Sequence, residues 1–169
     1  MWCVTLSVND DVIVGRAGND DLGGAAGDDD IHGGAGVDMV NGGSGNDLLH
    51  GGVGDDVLYG NDGLDILFGG GDADTFVFEA ASAYNDVDVI SDFSTPDGDA
   101  IDIADLLFAY DPITDAITDF VQITDNGTDS FLAVDADGGA DNFVQIAQIS
   151  NVTGLTDEEA LETAGNLIV

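Results

Sequence analysis

An aspartate recurs every nine residues through the first half of the chain, at Asp11, Asp20, Asp29, Asp38, Asp47, Asp56, Asp65 and Asp74. Two residues after each stands an apolar side chain: Ile13, Leu22, Ile31, Val40, Leu49, Leu58, Leu67 and Phe76. Two residues before most of them stands a glycine, at Gly18, Gly27, Gly36, Gly45, Gly54 and Gly63. A carboxylate that repeats in phase with a core residue lies in a regular row. The chain has 35 acidic side chains and a single basic one, Arg16, so no cationic side chains can neutralise that row. The chemistry of such a row is cation binding.

The same register dictates the elements that position it. Residues 6–77 divide into eight nines, from LSVNDDVIV through GRAGNDDLG to GGGDADTFV. Six residues of each unit are rich in Gly, Asn and Asp, which tolerate positive φ and favour a turn. The other three, centred on the apolar residue, are expected to form a short strand. A fixed short period is the signature of a solenoid. Successive strands then alternate between two parallel sheets, with the central side chains packed between them.

These units follow the pattern GGxGxDxUx, and the region resembles the RTX (repeats-in-toxin) nonapeptide family. The resemblance implies an all-β, right-handed parallel β-roll over residues 6–77, with Ca²⁺ held between loops. In that family one loop supplies the carbonyls of its second and fourth residues and its aspartate. The loop one turn later supplies the carbonyls of its first and third residues and its own aspartate. Carried onto this chain, one site takes Arg16, Gly18 and Asp20 with Gly33, Ala35 and Asp38. The next on that edge takes Gly34, Gly36 and Asp38 with Gly51, Val53 and Asp56, followed by Gly52, Gly54 and Asp56 with Gly69, Gly71 and Asp74. The opposite edge takes Ala25, Gly27 and Asp29 with Gly42, Ser44 and Asp47, then Gly43, Gly45 and Asp47 with Gly60, Asp62 and Asp65.

Two units make one turn, so aspartates 18 residues apart stack about 4.8 Å apart along the strand-pairing direction. One edge carries Asp11, Asp29, Asp47 and Asp65, and the other Asp20, Asp38, Asp56 and Asp74. Calcium suits these gaps, because it accepts six or more oxygens, backbone carbonyls included, in tolerant geometry. Magnesium demands a smaller octahedral cage and keeps its water. Zinc prefers nitrogen and sulfur, which the loops do not offer. About six bridging ions are expected, with the end sites weakened where Asn9 and Asp72 replace a glycine.

A formal charge of −34 over 169 residues excludes nucleic acid and anionic membrane surfaces as partners, since nothing could neutralise phosphate. It also opposes compaction. Yet 44% of the residues are apolar, which sets the chain apart from acidic disordered tails. The two facts agree if folding waits for the cation. Cys3 alone permits no internal disulfide. No run of about 20 apolar residues spans a membrane, and the N-terminus lacks the pattern of a secretory signal peptide. The chain opens almost inside a repeat, as a fragment of a larger protein would.

Residues 78–169 are poorer in glycine and read as a separate β-rich region that caps the roll. Strands are expected at Thr75–Phe78, Val87–Ile90, Asp119–Thr124, Ser130–Asp135 and Asn142–Ile149, with Asp125-Asn126-Gly127 as a hairpin turn. A short helix is expected over Asp102–Ala109. A second should follow a capping box, with Thr156 at the N-cap and Glu159 at the N3 position, and end at Gly165 or Asn166. Late outward residues (Leu48, Val57, Tyr59, Ile66, Phe68 and Val77) turn apolar, as a surface covered by the second half would. The segments Asp74–Phe78, Asp88–Phe93 and Asp99–Ile103 are similar to those following RTX repeats in type I secretion substrates. The close Asn166-Leu167-Ile168-Val169 resembles the secretion-target region of large bacterial RTX adhesins.

Other features carry weaker signals. His32 and His50, 18 residues apart, should stack on one face, either as plain surface imidazoles or as part of a transition-metal site. Asp135-Ala136-Asp137-Gly138 begins like an EF-hand loop but lacks the later glutamate, so an acidic turn is the simpler reading. Asp92, Asp97, Asp99 and Asp102 offer a further calcium site below the roll. No nucleophile elbow or zinc-protease helix occurs, and the chain is expected not to be an enzyme.

The resemblance implies an export and binding module: the C-terminal part of a secreted protein, expected to be a monomer at the bacterial surface. Its partners would be a type I secretion transporter, comprising ABC transporter, adaptor and outer-membrane channel. A non-catalytic part of an RTX protease or lipase is the alternative. An ice-binding solenoid would need an outward threonine array, whereas the third positions are Ala17, Ala26, Ala35, Ser44, Val53, Asp62 and Gly71.

Overall fold

The computed structural model describes residues 3–5, 8–80, 82–84, 86–111, 115–138, 142–155 and 157–169. Strand β1 (Cys3–Thr5) is followed by seven six-residue strands: β2 (Val12–Ala17), β3 (Asp21–Ala26), β4 (Asp30–Ala35), β5 (Met39–Ser44), β6 (Leu48–Val53), β7 (Val57–Asp62) and β8 (Ile66–Gly71). Strand β9 (Thr75–Val77) ends the repeats. Odd strands form one sheet and even strands the other, all parallel through this region. Each residue pairs with the one 18 positions on, as Leu49 does with Leu67 and Leu22 with Val40. The fold is a β-roll.

The strands are twice the expected three residues. The first three residues of each following unit stay paired, as Gly34 with Gly52 and Ala35 with Val53, so only positions four to six turn. The physical reason lies in strand alternation. In β6 the buried residues are Leu49 and Gly51, two apart. The first glycine therefore shares the inner face with the aliphatic core, and pairing carries on through it.

The eight phased apolar residues are buried, none more than 4% exposed. Their core continues without a break into Phe78, Ile90, Phe93, Ile101, Ile146, Ile149 and Leu167. Both sheets likewise continue past residue 77. Strand β10 (Asp88–Ile90) pairs with β8, and β11 (Ala100–Asp102) with β9. Strands β12 (Val121–Asp125), β13 (Ser130–Val134) and β14 (Val144–Ile149) form an antiparallel meander whose last strand runs parallel to β10. Helix α1 (Glu158–Ala164) leads to β15 (Leu167–Ile168), which pairs with β11. The second half thus adds strands at the end of each sheet. On the outer face Ile66 stays 42% exposed.

Two local expectations are corrected. The helix over Asp102–Ala109 is a single 3₁₀ turn, Ala104–Leu106. One turn already buries Ile103, Leu106 and Leu107, and the chain then leaves through Phe108, which is 81% exposed. The cap of α1 is Asp157, whose carboxylate accepts from the Ala160 N–H at 2.9 Å. Aspartate fills an N-cap as well as threonine does. Thr156 lies outside the described residues. Gly165 ends the helix in the left-handed conformation. Among the described residues no helix is long and apolar enough to cross a membrane.

Candidate metal centre

From Asp29 to Asp74, each repeat aspartate is bonded to the turn before it. Oδ1 of Asp29 accepts the N–H of Asp11 at 2.7 Å, Asp38 that of Asp20 at 2.8 Å, Asp47 that of Asp29 at 2.8 Å and Asp56 that of Asp38 at 2.7 Å. Asp65 and Asp74 do the same for Asp47 and Asp56. The 18-residue spacing read from the sequence is therefore the bonded spacing. One carboxylate oxygen is used in this way. The other, Oδ2 of Asp29, Asp38, Asp47, Asp56, Asp65 and Asp74, is buried and accepts no hydrogen bond. Buried carboxylate oxygens are strongly disfavoured unless a partner compensates them.

The glycines show where those oxygens point. A Cβ on Gly33 would lie 2.6 Å from both Asp38 Oδ2 and the Gly51 carbonyl. A Cβ on Gly51 would meet Asp56 Oδ2 at 2.6 Å and the Gly69 carbonyl at 2.7 Å. Gly15 stands in the same relation to Asp20 Oδ2 and the Gly33 carbonyl, and Gly24 to Asp29 Oδ2 and the Gly42 carbonyl. An aspartate oxygen and a first-position carbonyl from the next turn thus converge on a space that only glycine leaves open.

The remaining expected carbonyls fall into two groups. Those at the second and fourth positions face the matching residue one turn later: Arg16 toward Gly34, Ala25 toward Gly43, Gly34 toward Gly52, Gly18 toward Gly36, Gly27 toward Gly45 and Gly36 toward Gly54. These second and fourth positions adopt positive φ even where the residue is not glycine, at Arg16 (85°), Ala25 (81°), Asn61 (73°) and Asp72 (80°). Asp72 therefore reproduces the glycine conformation it replaces. Third-position carbonyls instead accept backbone bonds: Ala35 from Gly18, Ser44 from Gly27, Val53 from Gly36, Asp62 from Gly45 and Gly71 from Gly54, at 2.8–3.1 Å. A carbonyl keeps a second lone pair after one such bond.

The electrostatics agree with a site built for a cation. Burial pushes the Asp47 carboxyl up to about 7, with Asp65 and Asp29 adding repulsion against the hydrogen bond from Asp29. Burial likewise pushes Asp74 to about 7, and Asp56 and Asp65 to about 6. Such a carboxyl keeps its proton until pH approaches neutrality, and a metal ion can compensate the charge left when the proton goes. The donors are carboxylate and carbonyl oxygens with no nitrogen or sulfur, which fits calcium.

Two rungs lie outside the nine-residue series: Asp88, not singled out from the sequence, and Asp99, grouped with other aspartates rather than placed on the ladder. Oδ1 of Asp88 accepts the Asp65 N–H and Oδ1 of Asp99 the Asp74 N–H, both at 3.0 Å. Both residues are buried, and burial raises the Asp88 carboxyl to about 7. Their spacings of 23 and 25 break the period, so only the apolar pattern of β10 and β11 could have revealed them. Of the four aspartates grouped as one further site, Asp92 and Asp97 lie close enough to Asp99 to repel its carboxylate, and three of the four accept backbone N–H groups. Asp92 accepts from the N–H groups of Gly69 and Gly70, and Asp102 from that of Ala104. Asp135 accepts from the Asp137 N–H within its own turn.

The family model for the RTX calcium-binding nonapeptide repeat, in four copies, matches residues 7–40 and 41–76. No curated protein matches the chain. Among solved structures, the chain is similar to the R2 subunit of AlgE6, a mannuronan C5-epimerase of Azotobacter vinelandii. The identity is 23% and the TM-score 0.45, over 98% of this chain and 91% of that one. The R3 subunit of the same enzyme matches at 28% identity and TM-score 0.42, over 91% and 80%. The aspartate ladder and the phased core agree with the family model, and residues 7–76 are RTX calcium-binding nonapeptide repeats.

Proposed function

We propose that the chain is a calcium-folded, non-catalytic module of a secreted RTX protein, and that its C-terminal part is the uncleaved address read by a type I secretion transporter. The observation that carries the calcium half is the set of six buried aspartate Oδ2 atoms without hydrogen bonds, each aimed at a glycine-lined gap. About six ions, one for each aspartate pair 18 residues apart, would compensate them. In a calcium-poor cytoplasm the repeats stay unfolded and can thread a narrow channel. Outside, calcium folds them, and folding opposes return. The similarity of Asp74–Phe78, Asp88–Phe93 and Asp99–Ile103 to segments of type I secretion substrates, and of the chain's close to the secretion-target region of RTX adhesins, supports the second half of the reading.

Export provides the test. Removing residues 150–169 from the full secreted protein is expected to abolish secretion while the repeats still bind calcium. Secretion that survives the deletion refutes the address.

A further inference from the structure

Outside the aspartate ladders, one cluster of metal-ligating side chains among the described residues contains nitrogen donors: Asp30, His32 and His50. Their ligand atoms lie within 4.8 Å of one another. Asp30 and His32 flank buried Ile31 on β4, so both face outward. His50 lies on β6, in direct register with His32. His32 Nε2 sits 2.8 Å from Asp30 Oδ1, and the imidazoles stack with centroids 4.5 Å apart and planes 2° from parallel.

Most neighbours in register are apolar, and the Asp92 carboxylate lies within electrostatic reach of His50. Val14 precedes His32 in its column, and Phe68 stacks on His50 with centroids 4.7 Å apart. Val12 and Leu48 flank Asp30 in the neighbouring column. The trio thus lies half-buried on the outer face of the even-numbered sheet, with two nitrogens and one oxygen on offer.

We propose that Asp30, His32 and His50 bind a single divalent ion of the zinc class, separately from the calcium loops. Two imidazoles and a carboxylate select such borderline metals, whereas calcium takes oxygen ligands. Three protein ligands leave a fourth, tetrahedral position for water. An imidazole lone pair lies in the ring plane, so two parallel rings cannot aim at one ion. With metal–nitrogen bonds of about 2.0–2.1 Å, at least one ring must tilt out of the stack, and both are partly exposed and free of core packing. The ligands come from consecutive turns, so the site exists only in the folded roll. In that respect it rests on the calcium reading.

The test is a zinc titration of the protein in excess calcium, followed by ¹H NMR. The chain has two histidines, so their ring signals report the site directly. Both are expected to shift together and saturate at one equivalent. His50→Ala and Asp30→Asn should each weaken zinc binding at least about tenfold, since loss of a ligand costs no less than loss of an outer-shell partner. Circular dichroism of the same samples should show an unchanged roll. Zinc affinity unaltered in His50→Ala, ring signals that move singly, or displacement of zinc by calcium overturns the proposal. A roll equally folded without calcium would refute the calcium reading instead, and the zinc titration of that roll would still decide this one.

Discussion

The backbone N–H of Asp74 donates to Oδ1 of Asp99 at 3.0 Å across 25 residues. It repeats the bond that Asp56 makes to Asp74 across 18. Asp99 differs in one respect: its Oδ2 accepts the Ser94 N–H at 2.8 Å, whereas Oδ2 of Asp74 is bare. The ladder on this edge therefore ends on a carboxylate whose two oxygens each accept a backbone N–H.

Asp99→Ala would leave two backbone N–H groups without their acceptor beneath the last repeat. The expected loss is about 1–3 kcal/mol of stability, the cost of unpaired buried donors. Asp97→Ala, at an exposed neighbouring carboxylate, should stay within about 0.5 kcal/mol. Urea unfolding in saturating calcium measures both, and an Asp99→Ala protein as stable as its parent would refute the structural role.

Gly51 and Gly71 separate two uses of glycine. A Cβ at Gly51 would press on Asp56 Oδ2 and the Gly69 carbonyl, at 2.6 and 2.7 Å. At Gly71 it would meet nothing within 4 Å. Gly51→Ala should cost about 1–3 kcal/mol, as overpacking does, and remove calcium from the Asp56 gap. Gly71→Ala should leave calcium stoichiometry unchanged. Calorimetric calcium titration of the two variants distinguishes them, and equal stoichiometry would sink the argument.

Much of this was legible because one period fixed two things at once. Asp38 and Val40 recur in phase, so the core face and the carboxylate edge followed from counting. The strand length did not follow, because Gly33-Gly34-Ala35 reads as turn chemistry although its backbone remains paired one turn away. A second ladder was also hidden. At the loop tips, Oδ1 of Asn19 accepts the Val37 N–H, Asp28 that of Asn46 and Asn46 that of Leu64. These bonds run toward the next turn, opposite in direction to the buried ladder, and the mixed residues at that position masked them. Counting did not place Asp88 and Asp99 on the ladder because rung geometry is set by sheet register, and insertions in the chain between rungs leave that register intact.

Acid should partly replace calcium. Asp47, Asp56, Asp65, Asp74 and Asp88 have folded-state values of about 6 to 7 against an ordinary 3.8, raised chiefly by burial. A carboxyl raised on folding contributes stability that is present below its unfolded value and lost as pH rises through the folded one. The calcium-free roll is thus expected to be most stable near pH 4 and to lose stability between about pH 4 and 7. Calcium affinity should rise over the same range as protons stop competing. Thermal melts of calcium-stripped protein that are independent of pH would contradict this.

Calcium itself should decide whether the roll exists at neutral pH. Six buried carboxylate oxygens accept no hydrogen bond, and each unpaired buried group costs about 1–3 kcal/mol, more when charged. Their sum rivals the whole stability of an ordinary domain, about 5–15 kcal/mol. A net charge of −34 adds self-repulsion in the same direction. At neutral pH the metal-free repeats are therefore expected to be unfolded, and millimolar calcium to restore parallel β-structure cooperatively, since one turn supplies ligands to the gaps on either side of it. Circular dichroism and amide exchange, in calcium and after chelation, measure this. Equal β-content in both conditions, or protection of the Leu49 and Leu58 amides after calcium is removed, would mean that something other than the cation compensates the ladder.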